Sequence, residues 1–388
     1  MELKQIIKDN QDFLCGNPTV YFSPGRVNLI GEHIDYLGGN VFPSAITLGT
    51  YAFVTKREDD EIHFLSVNFK EFGVKVASLK NLSYKESDNW TNYCKGMFDA
   101  FIKRGANVLK GMNILVYGTL PNSSGLSSSA SLEVLIGEVI KNEYHFDIDM
   151  FDLVQVAQEV ENKYIGVNCG IMDQFAVGMS KEDTAIFLNT NNLEYEYVPL
   201  VLGEYTLVIA NTNKKRALAD SKYNERRSEC DQGLEVLQAN GVKINQLCEM
   251  TTEVFRNKEK LIKNFTVRKR VEHAVYENYR TNTAVKALQD GNLIKMGQLM
   301  NQSHDSLRDL YEVSCKELDT LVDYFRQNGA IGARMTGAGF GGCTIALVAT
   351  KDVDTVIKNV KEAYLDRVGY HADFYPVKTS DGTKKINI

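Results

Sequence analysis

The sequence predicts a soluble globular protein of two domains in which strands and helices are mixed. Its 388 residues exceed what one ordinary core holds, because single cores stop growing at about 250–300 residues. Hydrophobic residues make up 44% and charged residues 24% of the chain, which is typical of proteins that fold by burying apolar surface. The second half opens with a helix-rich region, so we predict domains at 1–205 and 206–388.

Composition and charge narrow the partners that the protein can have. The net charge is −6, and lysine and arginine are interspersed with acidic residues, so no basic face is offered to nucleic acid. The cysteines lie scattered without a CxxC pair, which favours reduced thiols over a disulfide framework or a zinc site. The first residues form no apolar signal core, and no apolar run is long enough to span a bilayer. We expect a cytoplasmic monomer with neither nucleic acid nor a membrane as partner.

The chain begins with a predicted amphipathic helix over residues 2–14, followed by a segment of unusual charge density. Arg26, Glu32, His33 and Asp35 lie within ten residues among apolar neighbours. Such charges are costly to bury unless they pair or meet a polar ligand. Carboxylate, imidazole and guanidinium groups together can hydrogen-bond sugar hydroxyls. From these residues alone, a loop of surface salt bridges is the alternative.

The next part of the chain is predicted as strands followed by a helix. Residues of high β-propensity between polar turns predict strands at 45–57, 61–67 and 72–78. The helix over 90–105 carries a stripe of large side chains at Trp90, Tyr93, Met97, Ala100 and Phe101. Such an aromatic stripe is more typical of a core than of a cofactor contact.

The stretch PNSSGLSSSAS, from Pro121 to Ser131, is the strongest candidate for a binding loop. A strand is predicted before it, at 111–120, and apolar residues recur at helical spacing behind it. A turn of small residues that opens a helix presents unpaired backbone N–H groups and the positive end of the helix dipole to an anion. Serine hydroxyls there can bind phosphate oxygens or a magnesium ion beside them. The alternative is a loop that only caps the helix.

Acidic residues downstream of this loop are candidates for the chemistry. A helix from about 150 to 164 carries Glu159 and Glu161. Farther on, Asp173 lies in a nearly uncharged apolar segment at 166–180. A carboxylate buried near a ligand or a cation can act as a general base or charge stabiliser. The alternative for Asp173 is a helix-start residue bonded to backbone.

The last part of the chain is predicted to return from helices to strands. Strands are predicted near 184–189, 194–199 and 205–211. The basic helical segment that follows is interpreted as a solvated face, although its Tyr223 can reach a substrate. Two strands around a glycine-rich turn follow at 330–349, then a helix and a final strand.

Three glycines of that turn, Gly337, Gly339 and Gly342, have the spacing G-x-G-x-x-G, but their context excludes a dinucleotide fold. A strand follows them where that motif needs a helix. A glycine-rich turn between strands instead lets backbone approach a phosphate or another part of an active site. The P-loop motif and the HRD and DFG motifs of protein kinases are absent from the sequence, which excludes the two commonest phosphoryl-transfer families.

Three separated motifs resemble, in order and spacing, the signature motifs of the GHMP small-molecule kinases. They are PGRVNLIGEHIDYLGG (24–39), PNSSGLSSSASLEV (121–134) and RMTGAGFGGC (334–343). The first motif, together with CGIMDQF (169–175) and SKYNERR (221–227), resembles the galactokinase branch. The resemblance implies an α+β fold of two domains, ribosomal-protein-S5-like at the N terminus and ferredoxin-like at the C terminus, with the active site in the cleft. It implies ATP-dependent phosphorylation of the anomeric hydroxyl of galactose, with Mg²⁺ as cofactor.

The same resemblance implies roles for individual residues. Arg26 would stabilise charge during transfer, and Asp173 would be the catalytic aspartate. The sugar would contact Glu32, His33, Ile34, Asp35 and Tyr223. The ATP phosphates would contact Ser123, Ser124, Gly125, Leu126, Ser127, Ser128 and Ser129, with Ser66 as a further nucleotide contact. Mg²⁺ would be bound by Ser129 and Glu161. The segment WTNYCKGM (90–97) resembles a recurrent galactokinase segment, which fits a place near the nucleotide as well as a core.

The first motif departs from the usual galactokinase pattern EHTDYN at Ile34 and Leu37, where polar residues have become apolar. N-acetylgalactosamine kinases also tend to carry Ile at the first of these positions, so a 2-substituted galactose is the alternative substrate. We expect galactose, because the residues implied to contact its hydroxyls are all present. A non-catalytic sugar sensor is disfavoured by the uninterrupted GLSSSAS loop, and a mevalonate or homoserine kinase by GEHIDY and CGIMDQF.

Overall fold

The computed structural model describes residues 2–121, 124–214 and 219–388, the last range with side chains from Lys222 onward. Its strands are β1 (Thr19–Asn28), β2 (Asn40–Val41), β3 (Pro43–Lys56), β4 (Glu61–Ser66), β5 (Lys75–Ser78), β6 (Met112–Gly118), β7 (Thr184–Asn189), β8 (Tyr195–Pro199), β9 (Tyr205–Asn211), β10 (Gly332–Thr336), β11 (Cys343–Ala349), β12 (Asp373–Val377) and β13 (Lys384–Ile386). Its α-helices are α1 (Leu3–Asp9), α2 (Gln11–Leu14), α3 (Thr91–Lys103), α4 (Ser128–Glu143), α5 (Met150–Val160), α6 (Met172–Met179), α7 (Ala219–Ala239), α8 (Thr252–Lys258), α9 (Phe265–Gln289), α10 (Leu293–Ser306), α11 (Lys316–Gln327) and α12 (Val353–Val368).

The largest sheet has six strands in the order β13-β1-β3-β6-β4-β5. All neighbours are antiparallel except β4 and β6, which are parallel. Successive side chains of a strand point to opposite faces, so Val20 and Phe53 pack with α1 and α2, while Tyr21 and Ala52 face the core that contains α3 to α6. Both faces are thus covered by helices.

A second, antiparallel sheet has four strands in the order β10-β11-β9-β12. One face packs on α11 and α12, for example Ala346 with Phe325. The opposite face shares a core with α10 and with the end of β1, since Ile345, Met300 and Val27 belong to one buried cluster. A small sheet orders β2, β7 and β8. The end of β1 is therefore where the two large sheets meet.

The predicted elements are confirmed within a few residues, and the chief difference is local. The N-terminal helix predicted over 2–14 is interrupted at Asn10, where α1 ends and α2 begins. The helix predicted to reach residue 164 is α-helical only to Val160 and continues as a π-helical turn at Glu161–Ile165. No described helix is both long and apolar enough to cross a membrane. The division at 205/206 stays a prediction: β9 begins the second sheet at Tyr205, whereas β13 returns to the first.

Candidate active site

A small cavity of about 150 Å³ lies where the end of β1, the start of α6 and the glycine-rich turn meet. Most of the residues singled out from the sequence for sugar binding and catalysis line it. The lining residues are Arg26, Glu32, His33, Asp35, Glu161, Val167, Cys169, Gly170, Met172, Asp173, Tyr223, Gly337 and Ala338. The fold thus brings together side chains that lie far apart in the sequence.

The centre of the site is an ion pair between Arg26 and Asp173. Arg26 donates from Nε and Nη2 to Asp173 Oδ1, at 2.9 and 2.8 Å. Its Nη1 donates to the carbonyl oxygen of Gly125 in the serine loop at 2.7 Å. The Arg26 side chain is 3% exposed and that of Asp173 is 32% exposed, so the aspartate is the partner that faces the cavity. One guanidinium therefore contacts both the acid at this cavity and the serine loop.

Glu32 is held by an arginine from the second sheet. Arg334 Nη2 donates to Glu32 Oε2 at 2.8 Å, and Arg334 Nη1 donates to the carbonyl of Asn28 at 2.8 Å. Both side chains are buried. Burial raises the pKa of Glu32, and the charges of Arg334 and Arg26 oppose that rise.

Asp35 is packed against backbone that leaves no room for a side chain. A Cβ atom at Gly170 would lie 2.0 Å from Asp35 Oδ2, so only glycine permits this approach. Burial, followed by the negative charges of Asp173 and Glu32, raises the pKa of Asp35 to about 7. A ligand that donates hydrogen bonds to Asp35 would relieve this unfavourable crowding of carboxylates.

His33 connects the first motif to the glycine-rich turn. Its Nε2 lies 3.1 Å from the carbonyl of Ala338, which can only accept, so Nε2 carries the proton and Nδ1 accepts from the Tyr36 hydroxyl at 2.9 Å. Burial lowers the pKa of His33 to about 3, so the ring is neutral. The Tyr223 ring packs 5.4 Å from that of His33, on the cavity wall.

The serine loop and the glycine-rich turn touch through backbone. A Cβ atom at Gly337, whose φ is +83°, would lie 2.5 Å from the carbonyl oxygen of Gly125. Gly337 thus provides the close backbone approach expected from the sequence, and the surface that it approaches is the serine loop; Gly339 approaches the carbonyl of Val313 instead.

The described part of the serine loop has the features of an anion site. Ser127 has a left-handed φ of +62° just before α4 begins. The hydroxyls of Ser124 and Ser127 are buried and have no hydrogen-bond partner among the described residues. Buried hydroxyls usually have partners, so these two are suited to a ligand. The Leu126 side chain is fully buried in the core, which leaves only its backbone for a ligand. Ser123 lies outside the described residues.

Glu161 and Ser129 lie together, as the resemblance implied for magnesium ligands. The Ser129 hydroxyl hydrogen-bonds the Glu161 carboxylate, and Gln174 Nε2 donates to Glu161 Oε2 at 2.6 Å. Burial, and then the charge of Asp173, raises the pKa of Glu161 to about 7. A neighbouring buried carboxyl, Glu133, has its pKa raised by burial and by Glu161.

These oxygen groups fit Mg²⁺ in their chemistry. Mg²⁺ is bound in kinase sites by one or two carboxylates together with substrate phosphates, not by a cage made only of protein groups. In the described part of the chain, no cluster of three or more His, Cys, Asp or Glu residues suggests such a cage. A hydroxyl and a carboxylate next to an anion loop therefore match the ion's needs.

A second cavity, of about 330 Å³, lies on the other side of the serine loop. Ser66, the weakest of the predicted nucleotide contacts, lines it together with Ser128 and Ser129. Trp90 and Tyr93 also line it. From residue pattern we interpreted these two aromatics as core, and only the resemblance left a place near the nucleotide open. The indole Nε1 of Trp90 is buried without a partner among the described residues, which suits recognition of a ligand.

Two residues of the first motif are not among the residues that line the 150 Å³ cavity. Ile34 is fully buried and packs against Gly39 and Cys248. Leu37 belongs to the same core cluster. Both apolar departures from the usual motif are thus satisfied by core packing. The role of Ile34 as a sugar contact stays a prediction, and its position gives that role no support.

Comparisons with known proteins agree with this geometry. Residues 92–181 match the GHMP kinases N terminal domain, residues 284–366 match GHMP kinases C terminal, and residues 11–56 match the galactokinase galactose-binding signature. A galactokinase of Clostridium beijerinckii is 54% identical over 95% of each chain, and one of Enterococcus faecalis is 53% identical over 94% of this chain and 95% of its own.

Solved structures give the same result. The crystal structure of Lactococcus lactis galactokinase complexed with galactose is 46% identical, covers 99% of this chain and 100% of that one, and superimposes with a TM-score of 0.96. A mevalonate kinase of Methanococcus jannaschii is 19% identical, covers 94% of this chain and 99% of that one, and shares the fold with a TM-score of 0.69. The α+β fold and the paired serine and glycine loops define a GHMP kinase, which confirms the fold class predicted above. Within that class, the chain belongs to the galactokinase family and is a sugar kinase.

Proposed function

We propose that the protein transfers the γ-phosphoryl group of ATP to the anomeric hydroxyl of D-galactose. The observation that carries this proposal is the position of Arg26, which contacts both Asp173 at the sugar cavity and Gly125 in the serine loop. A phosphoryl group in transit has to pass between acceptor and nucleotide, and catalysis of this reaction is mainly positioning and neutralisation of charge. A cationic group that bridges the two compartments is suited to that task.

The acceptor sugar is bound in the 150 Å³ cavity. Glu32, Asp35 and Tyr223 present oxygens to its hydroxyls, and His33 fixes the loop that carries the two acids. Because Glu32 is already paired with Arg334, its carboxylate is held in one orientation before a sugar arrives. Such preorganisation lowers the entropy lost on binding.

The nucleotide lies in the 330 Å³ cavity, with its phosphates on the serine loop. The hydroxyls of Ser124 and Ser127, which have no partner among the described residues, donate to phosphate oxygens. Trp90 and Ser66 lie beside the base and the ribose of the nucleotide. Ser129 and Glu161 would hold Mg²⁺, which would supply positive charge to neutralise the transferred group. Ser129 lines the 330 Å³ cavity and Glu161 lines the 150 Å³ cavity, so this assignment puts the metal where the two cavities approach each other.

Asp173 accepts or polarises the proton of the anomeric hydroxyl. Both Arg26 contacts end on Oδ1, which leaves Oδ2 for the acceptor hydroxyl. A carboxylate in this position can take the proton as the hydroxyl attacks, or it can hold the hydroxyl in line for attack. Arg26 meanwhile faces the charge that develops on the phosphoryl oxygens.

Galactose is favoured over a 2-substituted sugar because Ile34 and Leu37, the two unusual residues of the first motif, are buried in the core. The changes that suggested an altered sugar pocket therefore give no reason for a different substrate. We further propose that the enzyme acts in the cytoplasm, consistent with reduced thiols, for example at Cys94 and Cys230. We also propose a monomer, since one chain supplies the lining of both cavities; light scattering after size exclusion tests this.

A coupled assay of ADP release tests the function. We compare galactose, N-acetylgalactosamine, galactosamine and glucose at matched concentrations with ATP and Mg²⁺, and expect the highest kcat/KM for galactose. A higher kcat/KM for N-acetylgalactosamine would identify the alternative substrate. Absence of sugar-dependent ADP release with all four sugars would contradict a kinase and support a sugar sensor.

A further inference from the structure

Gln174 follows Asp173 directly on α6, but it does not line the sugar cavity and lies instead in a buried cluster of acids. Its Nε2 lies 2.6 Å from Glu161 Oε2 and 3.4 Å from Glu133 Oε2. Gln174 and Glu133 are 0% exposed, and Glu161 is 7% exposed. The amide therefore lies between two carboxyl groups that solvent hardly reaches.

The direction of the amide follows from its chemistry. An NH₂ group has two hydrogens to donate, whereas the amide oxygen can only accept. Turned the other way, Gln174 would set its oxygen against two carboxyl groups. One NH₂ group between two acceptors is thus the arrangement that satisfies them, and it fixes the Glu161 carboxylate through Oε2.

Packing alone does not explain this glutamine. The other amide atom, Oε1, is buried without a partner among the described residues, as is Glu133 Oε1. Buried acceptors without partners cost stability. Departures of this kind from well-satisfied packing are typical of functional sites.

We propose that Gln174 is a positioning residue which, supported by Glu133, orients Glu161 for Mg²⁺. This inference rests on the proposed assignment of Ser129 and Glu161 to the metal. Hydrogen-bonding partners behind a metal ligand fix its orientation and tune its affinity. The first turn of α6 then serves both halves of the site: Asp173 faces the acceptor sugar, and the next residue sets the geometry of the metal ligand.

The test measures ADP binding by titration calorimetry, once with Mg²⁺ and once with EDTA, in the wild type and in Gln174→Met. Methionine has nearly the size of glutamine but donates no hydrogen bond. We expect the strengthening of ADP binding by Mg²⁺ to fall by about tenfold or more, the range seen when groups behind a metal ligand are removed. ADP affinity in EDTA and galactose affinity are expected to stay near wild type.

Gln155→Met is the matched control. Gln155 is half-buried on α5, and its amide donates to the carbonyl of Phe151 in the same helix. We expect the full Mg²⁺ effect in this variant. An unchanged Mg²⁺ effect in Gln174→Met would overturn the proposal. Equal losses of galactose and ADP binding would also overturn it, because they would show that Gln174 supports α6 as a whole.

If Gln174→Met does not fold, the hydrogen bonds that join Glu133, Gln174 and Glu161 can be tested by substitutions of Glu133. Glu133→Gln keeps an oxygen that can accept from Gln174, whereas Glu133→Leu does not. We expect a wild-type Mg²⁺ effect in the first and a reduced one in the second; equal behaviour would contradict the inference. The Mg²⁺ effect on ADP binding needs neither turnover nor a sugar. A wild type that fails to phosphorylate galactose would thus overturn the proposed function and leave this comparison interpretable.

Discussion

The two cavities on either side of the Arg26–Asp173 pair differ in whether their polar groups have partners within the protein. In the sugar cavity several polar groups already have partners: Glu32 pairs with Arg334, and the neutral His33 ring bonds the carbonyl of Ala338. Asp35 is the exception, because other acids crowd it. On the nucleotide side, polar groups are buried without partners among the described residues, among them the Ser127 hydroxyl. Apart from Asp35, the first cavity is thus satisfied by the protein itself, whereas these hydroxyls are available to a ligand.

The difference has a structural origin. The partners of the sugar cavity come from the second sheet and its glycine-rich turn, so pairing them also fastens the two large sheets together. The serine loop contacts the glycine-rich turn and Arg26 through backbone at Gly125, and the hydroxyls of Ser124 and Ser127 have no partner among the described residues. We therefore expect substitutions on the sugar side to affect chemistry and stability, and those on the nucleotide side to affect ligand affinity alone.

The largest effect is expected for Asp173→Asn. The asparagine keeps an oxygen that can accept from Arg26, so the fold should persist, but the negative charge that accepts or polarises the proton is lost. We expect kcat to fall by about 10²-fold or more, as for loss of a general base. Steady-state kinetics with galactose and a thermal melt measure the two quantities.

An exposed acid on a surface helix provides the control for this variant. Asp323→Asn on α11 removes the same charge far from both cavities and should leave kcat unchanged. Turnover close to wild type in Asp173→Asn would remove Asp173 from the chemistry. It would also remove the difference expected between the two cavities, because residues of the sugar cavity would then contribute to sugar binding and not to catalysis.

A smaller effect, on ATP affinity instead of turnover, is expected for a substitution in the serine loop. Ser127 Oγ has no partner among the described residues, whereas Ser131 Oγ donates to the carbonyl of Ser23 and also hydrogen-bonds the Thr50 hydroxyl, which can donate to it. Ser127→Ala should weaken ATP binding by about tenfold, the worth of one hydrogen bond to a charged group, and leave stability unchanged or slightly higher. Ser131→Ala should instead destabilise the fold by about 1–2 kcal/mol and leave ATP affinity unchanged.

Calorimetric ATP binding and urea denaturation of both alanine variants separate these outcomes. If Ser127→Ala lowers the free energy of unfolding as much as Ser131→Ala does, its hydroxyl has a partner in the folded protein. The proposed difference between the two cavities, that polar groups have partners at one and lack them at the other, would then be wrong.

Much of the site could be predicted from the sequence because its motifs are local. The serine stretch has a strand before it and a helix after it, and the charges of the first motif lie close together in the chain. Both patterns are readable from spacing and residue type. The glycine-rich turn was also recognisable as a place of close backbone approach, because glycine permits conformations that other residues avoid.

The partners of these motifs could not be predicted, since they come from the packing of distant segments. Glu32 and Arg334 are 302 positions apart, and no pattern in either segment predicts that the two residues pair. Gln174 has no distinguishing local pattern, and Trp90 lies on a helical stripe that is typical of core. The unpaired indole N–H that sets Trp90 apart is visible only once the surrounding residues are placed.

The smallest expected effect is a pH dependence of the free energy of unfolding, which tests whether acids crowd Asp35 in the sugar cavity. Burial and neighbouring acids raise the pKa of Asp35 from 3.8 to about 7 in the folded protein. Between these two values the folded state binds a proton that the unfolded state has released, so the contribution of Asp35 to stability is largest at low pH and is lost as pH rises through about 7. We expect the wild type to gain stability relative to Asp35→Asn as pH falls from about 7 to about 5, because the amide cannot titrate. Urea denaturation of both proteins across this range measures the difference, and taking the difference cancels the titration of all other groups that the two proteins share. A constant difference would show that Asp35 is an ordinary carboxylate, so that crowding of acids in the sugar cavity is already relieved without a ligand.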